Sequence, residues 1–340
     1  MAEAPDLLTT LLRDVSRSFY LTLWLLPSGV RRPIGLGYLL ARATDTIADT
    51  TLVPVARRLE ALAGLCDRIE GRRADPVDFS AWASDGNADV TPGERVLLRR
   101  VEEAVAVLRS LPARDAEQVR WVLETITGGQ ELDLRRFEGA SRERVKALPD
   151  AAALDDYTFR VAGCVGEFWT RLCRANLFPG ATLDEAALIA DGVRFGKGLQ
   201  LVNILRDLPR DLANGRCYLP EDELAAAGLR PSDLLNPGNE ARLWPVYEKW
   251  LALADGHLDA GWRYTTSLPR GQVRVRLACA LPVLIGMRTL SALRQGGVLD
   301  PGRRIKVGRA EVRAILWRSV VRLPVGPWWD SLAQWARIRG

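Results

Sequence analysis

Histidine is almost missing from this chain of 340 residues: His257 is the only one. That rules out multi-histidine metal sites and argues against a histidine-based nucleophilic triad. Cysteine is sparse as well. Cys66, Cys164, Cys173, Cys217 and Cys279 are odd in number, scattered and without a CxxC pair, so they read as reduced thiols of a cytosolic protein. No run of eighteen uncharged apolar residues occurs, so no transmembrane helix is expected. The polar, acidic first residues do not read as a secretory leader. Long runs of like charge are lacking too. A net charge of +5 without a concentrated basic stripe argues against a nucleic-acid partner and suits an acidic ligand such as a phosphate. Chemistry in such a chain rests on carboxylates, arginine, lysine, tyrosine and a hard cation.

What is present is a globular composition, 48% apolar and 26% charged, with helical periodicity almost throughout and weak strand signals. The pattern predicts helices over 6–26, from Pro33 to Asp49, and from about Pro54 to Ile69. A loop follows over 71–93, then helices at 94–111, 114–138 and 154–175. Pro209 is expected to kink or end a long helix over 183–208, displacing Asp211. Gly215-Arg216-Cys217-Tyr218-Leu219-Pro220 reads as a turn. Helices near 240–266 and 272–294 and a helical tail from 309 complete the chain. With no fixed repeat and no low-complexity linker, one all-α domain over 1–340 is the simplest account, with the tail 309–340 at its periphery. The tryptophans Trp328, Trp329 and Trp335, near Arg337 and Arg339, have two readings: packing, or a peripheral membrane contact.

Two stretches are unusual. In Tyr38-Leu-Leu-Ala-Arg42-Ala-Thr-Asp45-Thr-Ile-Ala-Asp49, Tyr38, Arg42, Asp45 and Asp49 fall within roughly 60° of one helix face. In Gln200-Leu-Val-Asn203-Ile-Leu-Arg206-Asp207-Leu-Pro-Arg-Asp211, Gln200, Asn203, Asp207 and Asp211 lie within about 80°. Alone, either pair of aspartates reads equally well as a solvated face, and Asp207 and Asp211 as surface partners of Arg206 and Arg210. Two such stretches in apolar helices, each with arginine on or beside the stripe, point to a divalent cation holding phosphate oxygens.

At these residues the sequence resembles the squalene/phytoene synthase family of head-to-head prenyl transferases. The resemblance rests on Ser16-Arg17-Ser18-Phe19, on Tyr38 to Asp49, on Val161-Ala162-Gly163-Cys164-Val165-Gly166, and on Gln200 to Asp211 followed by Gly215 to Pro220. It implies an all-α, single-domain isoprenoid-synthase helical bundle with a central cavity, acting on farnesyl diphosphate with Mg²⁺ and NADPH. Carried over, Asp45, Asp49, Asp207 and Asp211 hold Mg²⁺-diphosphate with Asn203 and Gln200 beside them. Ser16, Arg17, Ser18, Arg42, Arg206 and Arg216 contact phosphates. Phe19 and Tyr38 lie by the reacting chain, with Tyr157 and Tyr218 in the same site. Arg304 and Lys306 resemble a nicotinamide phosphate site, and equally an ordinary basic turn. The implied product is squalene, made through presqualene diphosphate by a monomer or weak oligomer, cytoplasmic or peripheral on the inner membrane face.

Departures from the family pattern keep other readings open. Ala48 stands where an extra acid is common. Tyr157, Phe159 and Arg160 occupy a segment where many members carry a further tyrosine, and Phe159 cannot relay a proton. The absence of the carboxyl-terminal anchor of eukaryotic squalene synthases suits a soluble or peripheral type. A presqualene, hydroxysqualene, dehydrosqualene or phytoene synthase is the alternative product assignment. A non-catalytic prenyl-synthase subunit is the alternative from another class.

Overall fold

The structure is a computed structural model that describes residues 6–16, 20–84, 89–323 and 329–338. Arg17, Ser18 and Phe19, with Trp328 and Arg339, lie outside the described residues. Helix dominates as expected, and the chain forms two compact units, Met1–Arg135 with Arg171–Pro179, and Arg136–Thr170 with Gly180–Gly340.

In the first unit the single helix expected over 6–26 is divided. A wide π-turn over Leu7–Leu11, capped by Asp6, leads into α1 (Leu12–Ser16), and α2 spans Tyr20–Leu25. Helix α3 (Ser28–Asp49) starts ahead of Pro33, because extended Pro27 offers its carbonyl to the amides of Val30 and Arg31. Its inner face (Ile34, Leu36, Leu40, Ala43 and Ile47) is buried, which leaves Tyr38, Arg42, Asp45 and Asp49 off the core. Helix α4 covers Val55–Glu70. The helix expected over 94–111 is two, α5 (Pro92–Arg99) and α6 (Val101–Arg109), because Arg100 leaves helical geometry at φ −114°. A capping box between Thr91 and Glu94, with Pro92 in the first turn, starts α5. Helix α7 spans Ala113–Arg136.

The second unit opens with a short strand that the sequence pattern did not reveal, β1 (Lys146–Leu148). Helix α8 (Ala151–Thr158) follows, then a π-turn over Phe159–Gly163, α9 (Cys164–Leu177), whose residues from Arg171 belong to the first unit, and α10 (Glu185–Ala213). The expected turn at Gly215–Pro220 is a second strand, β2 (Arg216–Pro220), parallel to β1, with Ala147 opposite Cys217. The helix does not end at Pro209, one of the two outcomes expected there. Helix α10 runs on to Ala213, and the Leu205 carbonyl, which an amide at 209 would normally reach, accepts from Tyr247 Oη at 2.9 Å.

The π-turn and the first turn of α9 meet α10 backbone to backbone in this unit. A Cβ on Gly166 would lie 1.9 Å from the Gly192 carbonyl oxygen, and one on Gly196 would lie 2.1 Å from that of Ala162. No residue larger than glycine fits at this approach. Helices α11 (Glu221–Ala226), α12 (Glu240–Ser267), α13 (Val273–Leu293), α14 (Arg309–Arg322) and α15 (Leu332–Arg337) complete the unit. Among the described residues α13 alone is long and apolar enough to cross a bilayer, and 83% of its apolar window is buried inside the protein. For the tail tryptophans the packing reading is the one observed. Trp329 is fully buried and stacks on Trp262 at 5.5 Å, and the guanidiniums of Arg288 and Arg318 lie over the Trp335 ring.

Candidate active site

The first unit assembles its polar stripe on α3. Arg42 sits between two carboxylates: its Nη1 donates to Asp45 Oδ2 at 3.3 Å, and its Nη2 donates to Glu94 Oε1. Glu94 is buried and does two jobs, since its Oε2 accepts from the Thr91 amide at 2.8 Å and so caps α5. Burial works to raise the Glu94 pKa, but Thr91 and Arg42 outweigh it and hold the group below its ordinary range. Asp45 moves the other way. Loss of water and the nearby Asp49 charge push it up to about 6, against Arg42 and a hydrogen bond from Gln130 Nε2 to Asp45 Oδ1 at 3.0 Å. Its side chain keeps 47% of its exposure, so water screens part of that penalty. Tyr38 Oη donates to the Val15 carbonyl at 3.4 Å, and Ser16 is buried at the end of α1.

In the second unit α10 presents Gln200, Asn203, Arg206, Asp207 and Asp211. Asn203 Nδ2 donates to Gln200 Oε1 at 3.4 Å. Arg206 grips Asp207 with two bonds, Nε to Oδ1 at 2.8 Å and Nη2 to Oδ2 at 2.5 Å. Its bond to Asp207 raises the Arg206 pKa, burial lowers it, and the Asp207 and Asp211 charges add to the rise. Beside this stripe lies an aromatic group. Tyr157 stacks on Tyr218 at 4.7 Å, Phe137 meets Tyr218 edge-on at 5.3 Å, and the Arg216 guanidinium lies over Phe137 at 5.8 Å. In the π-turn, Arg160 is tied to Asp156 by bonds of 2.9 and 3.0 Å, and Lys197 Nζ lies 5.8 Å from the centre of the Phe159 ring. Arg304 and Lys306 are exposed in the segment between α13 and α14. His257 accepts from Arg194 Nε at 3.3 Å; burial and the Arg194 charge push it down to about 4, so it is neutral at neutral pH.

Among the described residues no three His, Cys, Asp or Glu side chains gather at metal-holding range. Each stripe therefore offers a carboxylate pair rather than a full protein cage. That donor set fits Mg²⁺, which keeps waters and takes further oxygens from substrate phosphates. Burial raises Asp45 most and the Asp49 charge adds to it, and that second, repulsive part is what a divalent cation would relieve. Spacing alone picked out the two stripes, but it missed Glu94 and Gln130. The Thr91-Pro92-Gly93-Glu94 pattern signals a helix start and nothing about Arg42, and no spacing links Gln130 to Asp45.

The sequence profile described as squalene/phytoene synthase matches residues 12–311. The chain is 27% identical over 311 residues to the presqualene diphosphate synthase of Zymomonas mobilis, covering 91% of this chain and 90% of that protein. It is 28% identical to a 15-cis-phytoene synthase of a Paracoccus species (87% of this chain, 84% of that protein). With the squalene synthase of Schizosaccharomyces pombe the identity is 25%, over 88% of this chain and 62% of that protein. Among solved structures, TcSQS in complex with the ligand BPH1237 superposes with a TM-score of 0.76 at 22% identity, covering 97% of this chain and 91% of the other. A squalene synthase from Alicyclobacillus acidocaldarius gives 0.59 at 21% identity, with 84% and 90% covered. These likenesses show the helical fold of squalene synthases.

Proposed function

The chain belongs to the squalene/phytoene synthase family of prenyltransferases, and from that premise we propose that it joins two farnesyl diphosphates head to head through presqualene diphosphate and, with NADPH, reduces the product to squalene. One observation carries this reading. Helices α3 and α10 each present two aspartates one turn apart, with an arginine already held against one of them.

The residues divide the work by charge and shape. Asp45 and Asp49 on one stripe, and Asp207, Asp211, Asn203 and Gln200 on the other, would hold Mg²⁺. The bound ion supplies positive charge to the departing diphosphate. Arg42, Arg206 and Arg216, with Ser16, bind phosphate oxygens, Arg42 from a position set by Glu94. Closing the cyclopropane ring releases one proton, and Tyr38 Oη and Tyr157 Oη are the phenols assigned to relay it. Tyr218, stacked on Tyr157, keeps that side apolar and excludes water, which would quench an allylic cation as an alcohol. Arg304 and Lys306 offer charge for a nicotinamide phosphate, and no step is derived from them.

A second reading stops at presqualene diphosphate. It is motivated by Phe159 and Arg160, neither of which is a phenol, and a presqualene diphosphate synthase is among the relatives. Purified protein with Mg²⁺ and farnesyl diphosphate, analysed by gas chromatography with and without NADPH, separates the two. Squalene formed only with NADPH supports the first, presqualene diphosphate under both conditions supports the second, and unconsumed farnesyl diphosphate sinks both. We further propose that the protein is cytoplasmic with a peripheral contact on the inner membrane face. Trp317, Val320 and Val321 are exposed on α14 beside exposed Arg309 and Arg313, a surface suited to an anionic bilayer.

A further inference from the structure

We propose that Tyr247 is a positioning residue for the second acidic stripe: its buried phenol replaces the hydrogen-bond donor that Pro209 lacks and keeps α10 helical between Asp207 and Asp211. The proposal rests on the reading of those two aspartates as holders of a cation-bound diphosphate.

In an unbroken α-helix the carbonyl of residue 205 accepts from the amide of residue 209. Proline has no such hydrogen, and its ring crowds the same carbonyl, so an interior proline ordinarily kinks a helix or ends it. Here α10 continues past Pro209 for another turn, to Ala213, before Asn214 and Gly215 close it. The deserted carbonyl is the one that Tyr247 Oη meets, at 2.9 Å.

Tyr247 is built to be that donor. It projects from α12, which packs against α10, and it is fully buried. Its ring stacks on Trp244 at 5.9 Å and 29°, which fixes the direction of the hydroxyl. Burial pushes its ionisation well above the ordinary range, so the proton is permanently available for donation. Without the hydroxyl, a buried carbonyl would be left unsatisfied beside a proline ring, and the cheapest relief is for the helix to bend and admit water. The bend would fall between Asp207 and Asp211, whose placement on one face depends on a regular turn. Pro209 thus stands at the one position in this stretch where regularity needs outside support, and α12 supplies it.

The test uses Tyr247→Phe, which removes only the hydroxyl, Pro209→Ala, which restores the amide hydrogen, and the double variant. Two readouts apply to the full chain: amide hydrogen exchange over 205–214 in metal-free protein, and affinity for Mn²⁺ with inorganic diphosphate, followed by electron paramagnetic resonance. For Tyr247→Phe, faster exchange in that segment and roughly ten-fold weaker Mn²⁺-diphosphate binding are expected, the scale for a group that orients a metal ligand. Pro209→Ala added to Tyr247→Phe should restore both. Unchanged exchange and affinity in Tyr247→Phe overturn the proposal. So does a double variant as impaired as Tyr247→Phe, since the phenol would then act by packing alone. If Tyr247→Phe does not fold, the comparison runs between Pro209→Ala and the double variant, where loss of the hydroxyl should be nearly neutral; a loss there overturns the brace. Wild-type protein that binds no Mn²⁺-diphosphate removes the premise instead, which the exchange data distinguish from failure of the brace.

Discussion

Asp45 shows at the scale of one residue how a carboxylate assigned to the proposed site is held at a cost to the fold. A carboxyl raised above its unfolded value binds its proton more tightly in the folded state. The folded state is therefore favoured at low pH and loses that advantage as pH rises from near 4 to about 6, the full penalty being present above it. Asp45→Asn should lower turnover of farnesyl diphosphate by orders of magnitude. It should leave the melting temperature of metal-free protein at pH 7.5 unchanged or about a degree or two higher. Calorimetry showing a clear fall would mean that the carboxylate stabilises the fold and that Asn cannot replace it. Asp45 itself was legible, because its spacing from Arg42 and Asp49 places all three on one helix face. Glu94 was legible only as a cap: its grip on Arg42 spans fifty-two positions, and nothing local in a sequence encodes such a pairing.

Elements were legible where periodicity ran uninterrupted, as in α3, α7 and α10 as far as Leu208. They were missed where a few residues decide. Strands β1 and β2 have three and five residues, too few to show an alternation, and they exist through each other. The π-turn over Phe159–Gly163 differs from α-helix by one residue per turn, which hydrophobic spacing does not resolve. Pro209 misled because its local chemistry was right and its tertiary partner was invisible. The glycines between α8–α9 and α10 carry the opposite lesson: Val161–Gly166 belongs to a motif, and its physical content is a close backbone approach. Gly196→Ala puts a Cβ 2.1 Å from a carbonyl oxygen, so the helices must separate. Urea denaturation should show a loss of about 3 kcal/mol or more, whereas Ala at exposed Gly180, with nothing within 4 Å of its added Cβ, should lie within about 0.5 kcal/mol of wild type. Equal stability of the two variants would mean that the approach is loose.

For the whole molecule, helix-only patterning and four ordered motifs were enough to identify the family, and the match over residues 12–311 bears that out. The product was not legible, because relatives at similar identity are described as presqualene diphosphate, phytoene and squalene synthases. Motifs common to all of them cannot separate the products. The tail illustrates the same point: of its described tryptophans Trp329 is buried, Trp335 is half-buried under two arginines, and Trp317, outside the cluster, is 66% exposed. Flotation with vesicles containing anionic lipid should carry the wild-type protein, and Trp317→Ala with Val321→Ser should reduce that fraction several-fold. Equal flotation of the two would place the contact elsewhere or remove it.

On the proposed function, the arginine–aspartate pairs on α3 and α10 make binding a matter of exchanging partners. A cation arriving alone at Asp207 strands Arg206, and a diphosphate arriving alone at Arg206 strands Asp207. Arriving together, they leave neither charge unmatched. By thermodynamic reciprocity each then tightens the other's hold, so the ion is best retained while diphosphate is present and loosens as diphosphate departs. The metal on this reading is a travelling companion of the substrate rather than a permanent resident, and each turnover begins and ends with the protein's own charges closed on themselves.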